Sequence, residues 1–122
     1  MKLVYVLIAD KKLTYSHGKK SAIAYIGTTE KGVARIAESA AKHAEEILRL
    51  RGVRKVTARI LTCRQRQRVK TWVKLERALI LMFRSEYGTV PRFNSQGKKM
   101  TEGDVFTYFR RERIRKTVQS LG

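Results

Sequence analysis

The sequence contains very little cysteine and proline. Its 122 residues include one of each. A single thiol, Cys63, excludes an internal disulfide and a thiolate zinc site, and it favours a reducing, intracellular compartment: cytoplasm, nucleoid or nucleus. The lone Pro91 leaves no proline-rich linker to divide the chain, so residues 1–122 are expected to form a single domain.

Long hydrophobic runs are also missing. No segment approaches the ~20 apolar residues that a membrane span needs. The run Leu3–Ala9 follows Lys2 as the apolar part of a signal peptide would, but it ends at Asp10 without a small-residue cleavage site. We interpret it as a buried strand and expect no membrane partner.

Acidic residues are scarce. Ten Asp and Glu stand against 28 Lys and Arg, which gives a formal net charge of +18. This balance argues against an ordinary neutral metabolic enzyme and predicts a polyanionic partner. The basic residues are spread over several elements rather than gathered on one amphipathic helix, which favours nucleic acid over a membrane surface.

Hydrophobic periodicity predicts the element order β-β-α-β-α-α. Strands are expected at 3–8, 21–27 and 55–62, and helices at about 28–51, 65–87 and 102–120. The first two strands are expected to form an antiparallel hairpin with a long polar tip over residues 10–20. The pattern therefore predicts an α+β fold, a small three-stranded, mainly antiparallel sheet flanked by helices.

Capping residues mark the expected helix ends. Thr28 and Thr29 are candidate N-caps of the first helix, and Gly88 lies beyond the end of the second. Thr101 with Asp104 is interpreted as a capping pair that opens the third helix.

The first helix is expected to be amphipathic. Its polar side carries Arg35, Ser39 and His43 at steps of four, so these three align along the axis. The residues expected on the opposite, apolar face are Val33, Ile36, Ala37, Ala40, Ala44, Ile47 and Leu48.

Glu76 is the most informative single residue. It is the only acid between Glu46 and Glu86, while the window 49–77 holds eleven Lys and Arg. It also falls within the apolar stripe of the second helix, which comprises Val69, Trp72, Val73, Leu79, Ile80 and Phe83. A carboxylate on the core side is costly unless it is paired, protonated or bound to a metal. Two interpretations stay open, a buried ion pair with an arginine and a metal ligand in a basic cleft, and a lone carboxylate suits Mg²⁺ or Mn²⁺ better than zinc.

Two tyrosines are expected to lie opposite each other in the hairpin. Tyr5 and Tyr25 either pack as a cross-strand aromatic pair or direct both hydroxyls to one point. In the second case a phenol acts as a general base or as a hydrogen-bond donor. Because the ordinary pKa of tyrosine is near 10, a base role requires nearby positive charge to lower the pKa.

Four polar residues each have a structural and a functional interpretation. Arg35 is either a solvated cation or a guanidinium that clamps a phosphoryl group. Asn94 is either a turn residue or a hydrogen-bonding support for a site. His43 and His17 are more typical of surface histidines and are kept in reserve, His17 as a DNA contact of the hairpin tip.

Taken together, these residues resemble the GIY-YIG nuclease superfamily over residues 3–94. Tyr25–Gly27 is a literal Tyr-Ile-Gly at the end of the second strand, and Arg35 follows eight residues later. Glu76–Ile80 is similar to the family's E-x-x-L-I, and Pro91–Asn94 to its P-x-x-N. The resemblance implies a three-stranded sheet flanked by helices and cleavage of phosphodiester bonds with a single divalent cation, Mg²⁺ or Mn²⁺.

The first motif departs from the family pattern. Leu3–Tyr5 stands where the family has Gly-Ile-Tyr, and the spacing of twenty residues from Tyr5 to Tyr25 is longer than the usual one of roughly ten. Tyr15 has the commoner spacing and is an alternative for the role. We prefer Tyr5, because its flanks make a convincing central strand.

The resemblance implies a role for each residue. Tyr5, helped by Tyr25, would activate water, Arg35 would stabilise the phosphoryl charge, and Glu76 would hold the cation. Gly27 would let the backbone pass close to the site. Asn94 would support the arrangement.

The implied partner is DNA rather than RNA, and the protein would bind the DNA through its phosphate backbone. The residues expected to bind it are Lys19, Lys20, Arg64, Arg66, Arg68, Lys70, Arg110 and Arg111. No specificity motif is visible, so specificity would come from the shape of the DNA, the tip loop, a homodimer or a partner protein. The alternative function is a non-catalytic basic module that binds DNA or RNA.

Overall fold

The fold is built on a small antiparallel sheet. A computed structural model of the protein describes residues 3–29, 33–66 and 68–122, with the side chains of 33–36 left out. The strands are β1 (Leu3–Thr14), β2 (Lys20–Thr29) and β3 (Val56–Leu61), in the order β2-β1-β3. Both neighbours of β1 run antiparallel to it. The expected α+β class with a three-stranded antiparallel sheet is confirmed.

The hairpin of β1 and β2 has a short turn, so the expected long polar tip is wrong. The strands continue until Thr14 pairs with Lys20, and only Ser16–Gly18 form the turn. Leu13 and Tyr15 are buried while Lys12 and Thr14 are exposed. This alternation is typical of a strand with one buried face. The lysines of the segment made it look like a polar loop in the sequence. The expected tip residue Lys12 therefore lies within β1.

Four helices accompany the sheet: α1 (Val33–Leu48), α2 (Thr71–Tyr87), α3 (Val105–Tyr108) and α4 (Arg111–Leu121). Gly88 ends α2 in the left-handed conformation, with φ 80°, as expected. Helix α2 begins six residues later than expected, because the described residues between β3 and α2 are not helical, and Arg68 among them has a φ of 63°. The expected N-caps Thr28 and Thr29 lie in β2 instead, because the strand runs past Gly27.

The expected single C-terminal helix over 102–120 is wrong. Phe109 adopts extended backbone, with φ −130° and ψ 126°, and separates α3 from α4. The break allows Val105 on one side and Ile114 and Val118 on the other to be buried at the same time. Asp104 precedes α3 without a side-chain cap and pairs instead with Lys74.

Helices cover both faces of the sheet. The residues of β1 from Leu3 to Leu7 are each at most 1% exposed, which requires cover on both sides because successive side chains point to opposite faces. Helix α1 contacts all three strands, α2 contacts β1 and β2, and α4 packs on α2. Leu48 and Val73, which were expected on the apolar faces of their helices, are 45% and 39% exposed.

No helix in the described part of the chain is long and apolar enough to cross a membrane.

Candidate functional site

The end of β2 brings the two motif tyrosines together. Tyr5 on β1 pairs with Gly27 on β2, and the rings of Tyr5 and Tyr25 have centroids 5.8 Å apart. A Cβ on Gly27 would stand 2.6 Å from Tyr25 Cε2 and 2.9 Å from the Tyr5 hydroxyl. Only glycine therefore leaves room for both rings at this point.

The polar side of α1 packs against these tyrosines. Ser39 Oγ and the Tyr5 hydroxyl are hydrogen bonded at 2.7 Å, and the His43 ring stacks on Tyr25 with centroids 3.9 Å apart. Sequence reasoning gave Ser39 no role of its own. Its alignment with Arg35 and His43 at steps of four was the available signal. The side chains of Ser39 and His43 meet the sheet rather than solvent.

His43 lies in the site but makes little use of its ring nitrogens. Its Nδ1 is buried, lacks a hydrogen-bond partner among the described residues and stands 3.9 Å from Glu46 Oε1. The contact that defines its position is the stack on Tyr25, so its role in this geometry is to hold that ring.

The phenol of Tyr25 is held in its protonated form. Burial raises its pKa, and the neighbouring Tyr5 and the negative charge of Glu76 raise it further. The condition for a base role, nearby positive charge that lowers the phenol pKa, is therefore not met at Tyr25, because burial disfavours the phenolate and because Tyr5 and Glu76 lie beside it. At neutral pH Tyr25 is a hydrogen-bond donor rather than a phenolate base.

Glu76 lies on α2, partly buried, at the same end of β2. Burial raises its pKa to about 6, although a hydrogen bond from Thr28 and the charge of Arg77 act in the opposite direction. Among the described side chains no Lys or Arg forms an ion pair with Glu76, so the expected alternative of a buried ion pair lacks a described partner. The carboxylate is thus destabilised in its charged form, as is common at functional sites.

Both faces of the sheet contribute side chains to the candidate site at the end of β2. Neighbouring strand residues point to opposite faces, so Gly27 lies on the α1 side and Thr28 on the α2 side. The tyrosines reach α1 and Thr28 reaches Glu76. The negative charge of Glu76 raises the pKa of Tyr25. The two faces of the sheet are therefore electrostatically coupled at its β2 edge.

The oxygen donors at this edge fit a hard divalent cation. Glu76 supplies one carboxylate and Thr28 a hydroxyl. The described residues contain no group of three His, Cys, Asp or Glu that could hold a metal. A cation at Glu76 would therefore complete its shell from water and phosphate oxygens, as Mg²⁺ commonly does.

Asn94 fastens the Tyr-Ile-Gly segment. Its Oδ1 accepts a hydrogen bond from the Ile26 N–H at 3.0 Å, and its Nδ2 donates to the Ile26 carbonyl at 2.9 Å. Phe93 N–H donates to the Ala24 carbonyl at 3.0 Å. The chain at 93–94 is thus joined to β2 by one backbone hydrogen bond and two hydrogen bonds of the Asn94 side chain.

Tyr15 and the hairpin turn lie away from this place. The Tyr15 hydroxyl donates to the Ile23 carbonyl at 2.7 Å and accepts from Arg92 N–H at 3.1 Å, and its ring packs edge-on against Phe83. Along β1 the separation between Tyr5 and Thr14 is nine residues, roughly 30 Å of extended strand. The geometry therefore brings Tyr5, not Tyr15, to Tyr25.

The turn residues expected to touch DNA share that distant end. His17 is exposed in the turn with a φ of 57°. Lys20 is exposed too, and Lys19 Nζ donates to the Glu86 carbonyl at 2.9 Å. The structure does not join these three residues to the tyrosine site.

Arg35 belongs to α1, four residues before Ser39. Its side chain lies outside the described residues.

The remaining expected DNA contacts lie near the start of α2 and the start of α4. Between β3 and α2 the exposed residues are Arg64, Arg66, Arg68 and Lys70, and Arg110 is exposed before α4. Arg111 differs, because it pairs with Glu102 and lies over the Phe106 ring at 4.2 Å. Its charge is partly neutralised within the protein.

Comparison with known proteins found no match: no family model, no curated protein and no solved structure is similar to this chain.

Proposed function

We propose that the protein is a DNA endonuclease that hydrolyses phosphodiester bonds with one divalent cation, as the resemblance to GIY-YIG nucleases implies. One observation carries this proposal. Glu76, a partly buried carboxylate with a pKa raised to about 6, lies within the electrostatic reach of Tyr25 in a chain of net charge +18. A protein that only binds phosphate gains nothing from an acid that opposes phosphate and costs stability.

Tyr25 acts as a neutral hydroxyl in this proposal. Tyr25 is partly exposed and protonated, so it donates a hydrogen bond to a phosphoryl oxygen or orients the attacking water. Tyr5 lies behind it, and Ser39 fixes the Tyr5 hydroxyl. Arg35, one helical turn before Ser39, is proposed to stabilise the charge that builds on the phosphoryl oxygens.

Glu76, with Thr28 beside it, would hold Mg²⁺ or Mn²⁺. A bound cation of this kind supplies charge stabilisation at the leaving oxygen. Asn94 and Gly27 keep the end of β2 in the conformation that presents Tyr25. The expected products carry 5′-phosphate and 3′-hydroxyl ends.

The surrounding basic surface would bind the DNA backbone inside the cell. If it neutralises ~6–10 phosphates, the logarithm of the affinity should fall with the logarithm of salt concentration at a slope of roughly −5 to −9. Sequence or structure specificity would come from a homodimer, a partner protein or the shape of the DNA.

The test is a plasmid cleavage assay with Mg²⁺, with Mn²⁺ and with EDTA. We expect wild-type protein to nick or linearise the plasmid only when a cation is present, and we expect Glu76→Gln to bind the plasmid without cutting it. Glu45→Gln is the matched control, because Glu45 is exposed on α1 and, among the described side chains, forms an ion pair only with Arg49. Wild-type rates in Glu76→Gln would refute the role of Glu76.

A non-catalytic nucleic-acid-binding module is the second candidate. It is favoured by the burial of Tyr5, which is 1% exposed and hydrogen bonded to Ser39 as a core tyrosine would be. Tight binding without cleavage under either cation would establish this candidate.

A further inference from the structure

A groove separates β3, α2 and α4 on the side of the molecule where the C-terminal helices pack. Its volume is about 490 Å³, within the range of small-ligand sites. Its floor is apolar and consists of Leu61, Leu75, Leu79 and Ile114.

Unneutralised arginines line the groove. Arg64, Arg110 and Arg113 all contribute to its wall, and none of them forms an ion pair with an acid among the described residues. Helix α4 carries two further arginines that are paired: Arg111 pairs with Glu102, and Arg115 pairs with Glu86 and Glu112. On α4, Arg113 thus faces the groove without an acidic partner among the described residues, whereas the paired Arg111 and Arg115 do not line it.

Aromatic side chains complete the wall. Tyr108 and Phe109 line the groove because the extended backbone at Phe109 separates α3 from α4 at this point. Arg66 and Lys74 lie 5.4 Å and 5.0 Å from the Tyr108 ring centroid and hold that ring in place.

We propose that this groove binds an unpaired nucleotide of DNA. The apolar floor and the aromatic wall match a base that has left the stack, and the arginines match its phosphates. A fully paired duplex presents no free base to such a groove. The inference rests on the proposed function only in taking DNA as the partner.

The position of the groove relates it to Glu76. Leu75 precedes Glu76, and Leu79 follows three residues later, so the groove and Glu76 occupy adjacent sides of α2 at the same level of the helix. A strand that places an unpaired nucleotide in the groove therefore leads toward the proposed catalytic site. The substrate class this favours is DNA with a single-stranded tail or flap next to a duplex.

The experiment compares two fluorescent probes by anisotropy, with EDTA present so that no strand is cut. One probe is a blunt duplex, and the other is the same duplex with a short single-stranded tail that contains 2-aminopurine. Three proteins are measured: wild type, Arg110→Gln/Arg113→Gln, and the control Arg49→Gln/Arg51→Gln, which removes the same charge from exposed arginines near the end of α1.

We expect wild type to bind the tailed probe about tenfold more tightly than the blunt one and to quench 2-aminopurine, because one stacked base contributes enough for such a ratio. The groove variant should lose this preference and the quenching, while the control should keep both. Circular dichroism confirms that both variants are folded.

Equal wild-type affinities for the two probes would overturn the proposal that the groove binds an unpaired nucleotide, and would leave the nuclease proposal unaffected. A preference that survives in Arg110→Gln/Arg113→Gln would also overturn it. Absence of binding to either probe would refute DNA as the partner, and with it both proposals.

Discussion

Replacing Glu76 by Gln should make the protein more stable at neutral pH. Burial raises the pKa of Glu76 from its ordinary value of 4.5 to about 6. Between pH 4.5 and about pH 6, Glu76 is therefore mostly protonated in the folded protein and mostly ionised in the unfolded chain. The free energy of unfolding falls as pH rises across this window. Glutamine is similar in size and carries no charge, so it avoids this cost.

The magnitude follows from the size of the pKa shift. A difference of about 1.5 pKa units corresponds to about 2 kcal/mol. The free energy of unfolding of Glu76→Gln should therefore exceed that of wild type by about 2 kcal/mol at pH 7. The difference should vanish near pH 4, where Glu76 is mostly protonated in both the folded and the unfolded protein.

Urea unfolding followed by the fluorescence of Trp72 measures this difference, since Trp72 is 4% exposed in the folded protein. The titrations are run in EDTA at several pH values, with Glu45→Gln as the control that should stay close to wild type. The reasoning about Glu76 would be refuted if Glu76→Gln were no more stable than wild type at pH 7, or if its advantage persisted unchanged at pH 4.

The remaining predictions concern the tyrosines and their supports. Tyr5→Phe should lower the rate of DNA cleavage by more than about tenfold, because the Tyr5 hydroxyl bonds Ser39 and the Tyr5 ring lies beside Tyr25. Tyr15→Phe should cost about 1–3 kcal/mol in urea unfolding, because the Ile23 carbonyl and the Arg92 N–H lose their partner, yet cleave within about tenfold of wild type. Gly27→Ala should cost about 1–3 kcal/mol and change the near-ultraviolet circular dichroism of the tyrosines, because its methyl group overlaps both rings; an unchanged spectrum would contradict this. Asn94→Ala should accelerate hydrogen exchange at the Ile26 amide, read by NMR, since that N–H loses its acceptor; unchanged protection would show that Asn94 does not hold β2.

The sequence was sufficient to predict the order of the first five elements and the central place of β1. Apolar runs such as Leu3–Ile8 and the stop at Gly88 depend on local chemistry, which a sequence displays directly. The hairpin turn was misplaced because lysines surround Leu13 and Tyr15, and only the packed core shows that these two side chains are inside.

Tertiary packing decided what local patterns left open. The C-terminal helix breaks at Phe109 so that Val105 and Ile114 can both be buried, and no proline or glycine marks the break. The polar stripe of Ser39 and His43 was visible at steps of four, but its contact with Tyr5 and Tyr25 depends on how α1 lies on the sheet.

The electrostatics of the site were the hardest feature to predict. The excess of basic residues suggested that positive charge would lower the pKa of a phenol. The pKa of Tyr25 is raised instead, because burial disfavours the phenolate and because its neighbours in space are Tyr5 and the acid Glu76. Net charge describes the whole surface, whereas a pKa responds to the few groups within reach.

The most direct test of the central claim is the single-turnover rate of DNA cleavage with Mg²⁺, measured with enzyme in saturating excess so that differences in DNA affinity have no effect. We expect Glu76→Gln to reduce this rate by several orders of magnitude, because it loses the carboxylate that would hold the cation, while Glu45→Gln leaves it unchanged. An equal rate in Glu76→Gln and wild type, or no cleavage by wild type with either Mg²⁺ or Mn²⁺, would contradict the claim that Glu76 and the tyrosines at the end of β2 form a metal-dependent nuclease site.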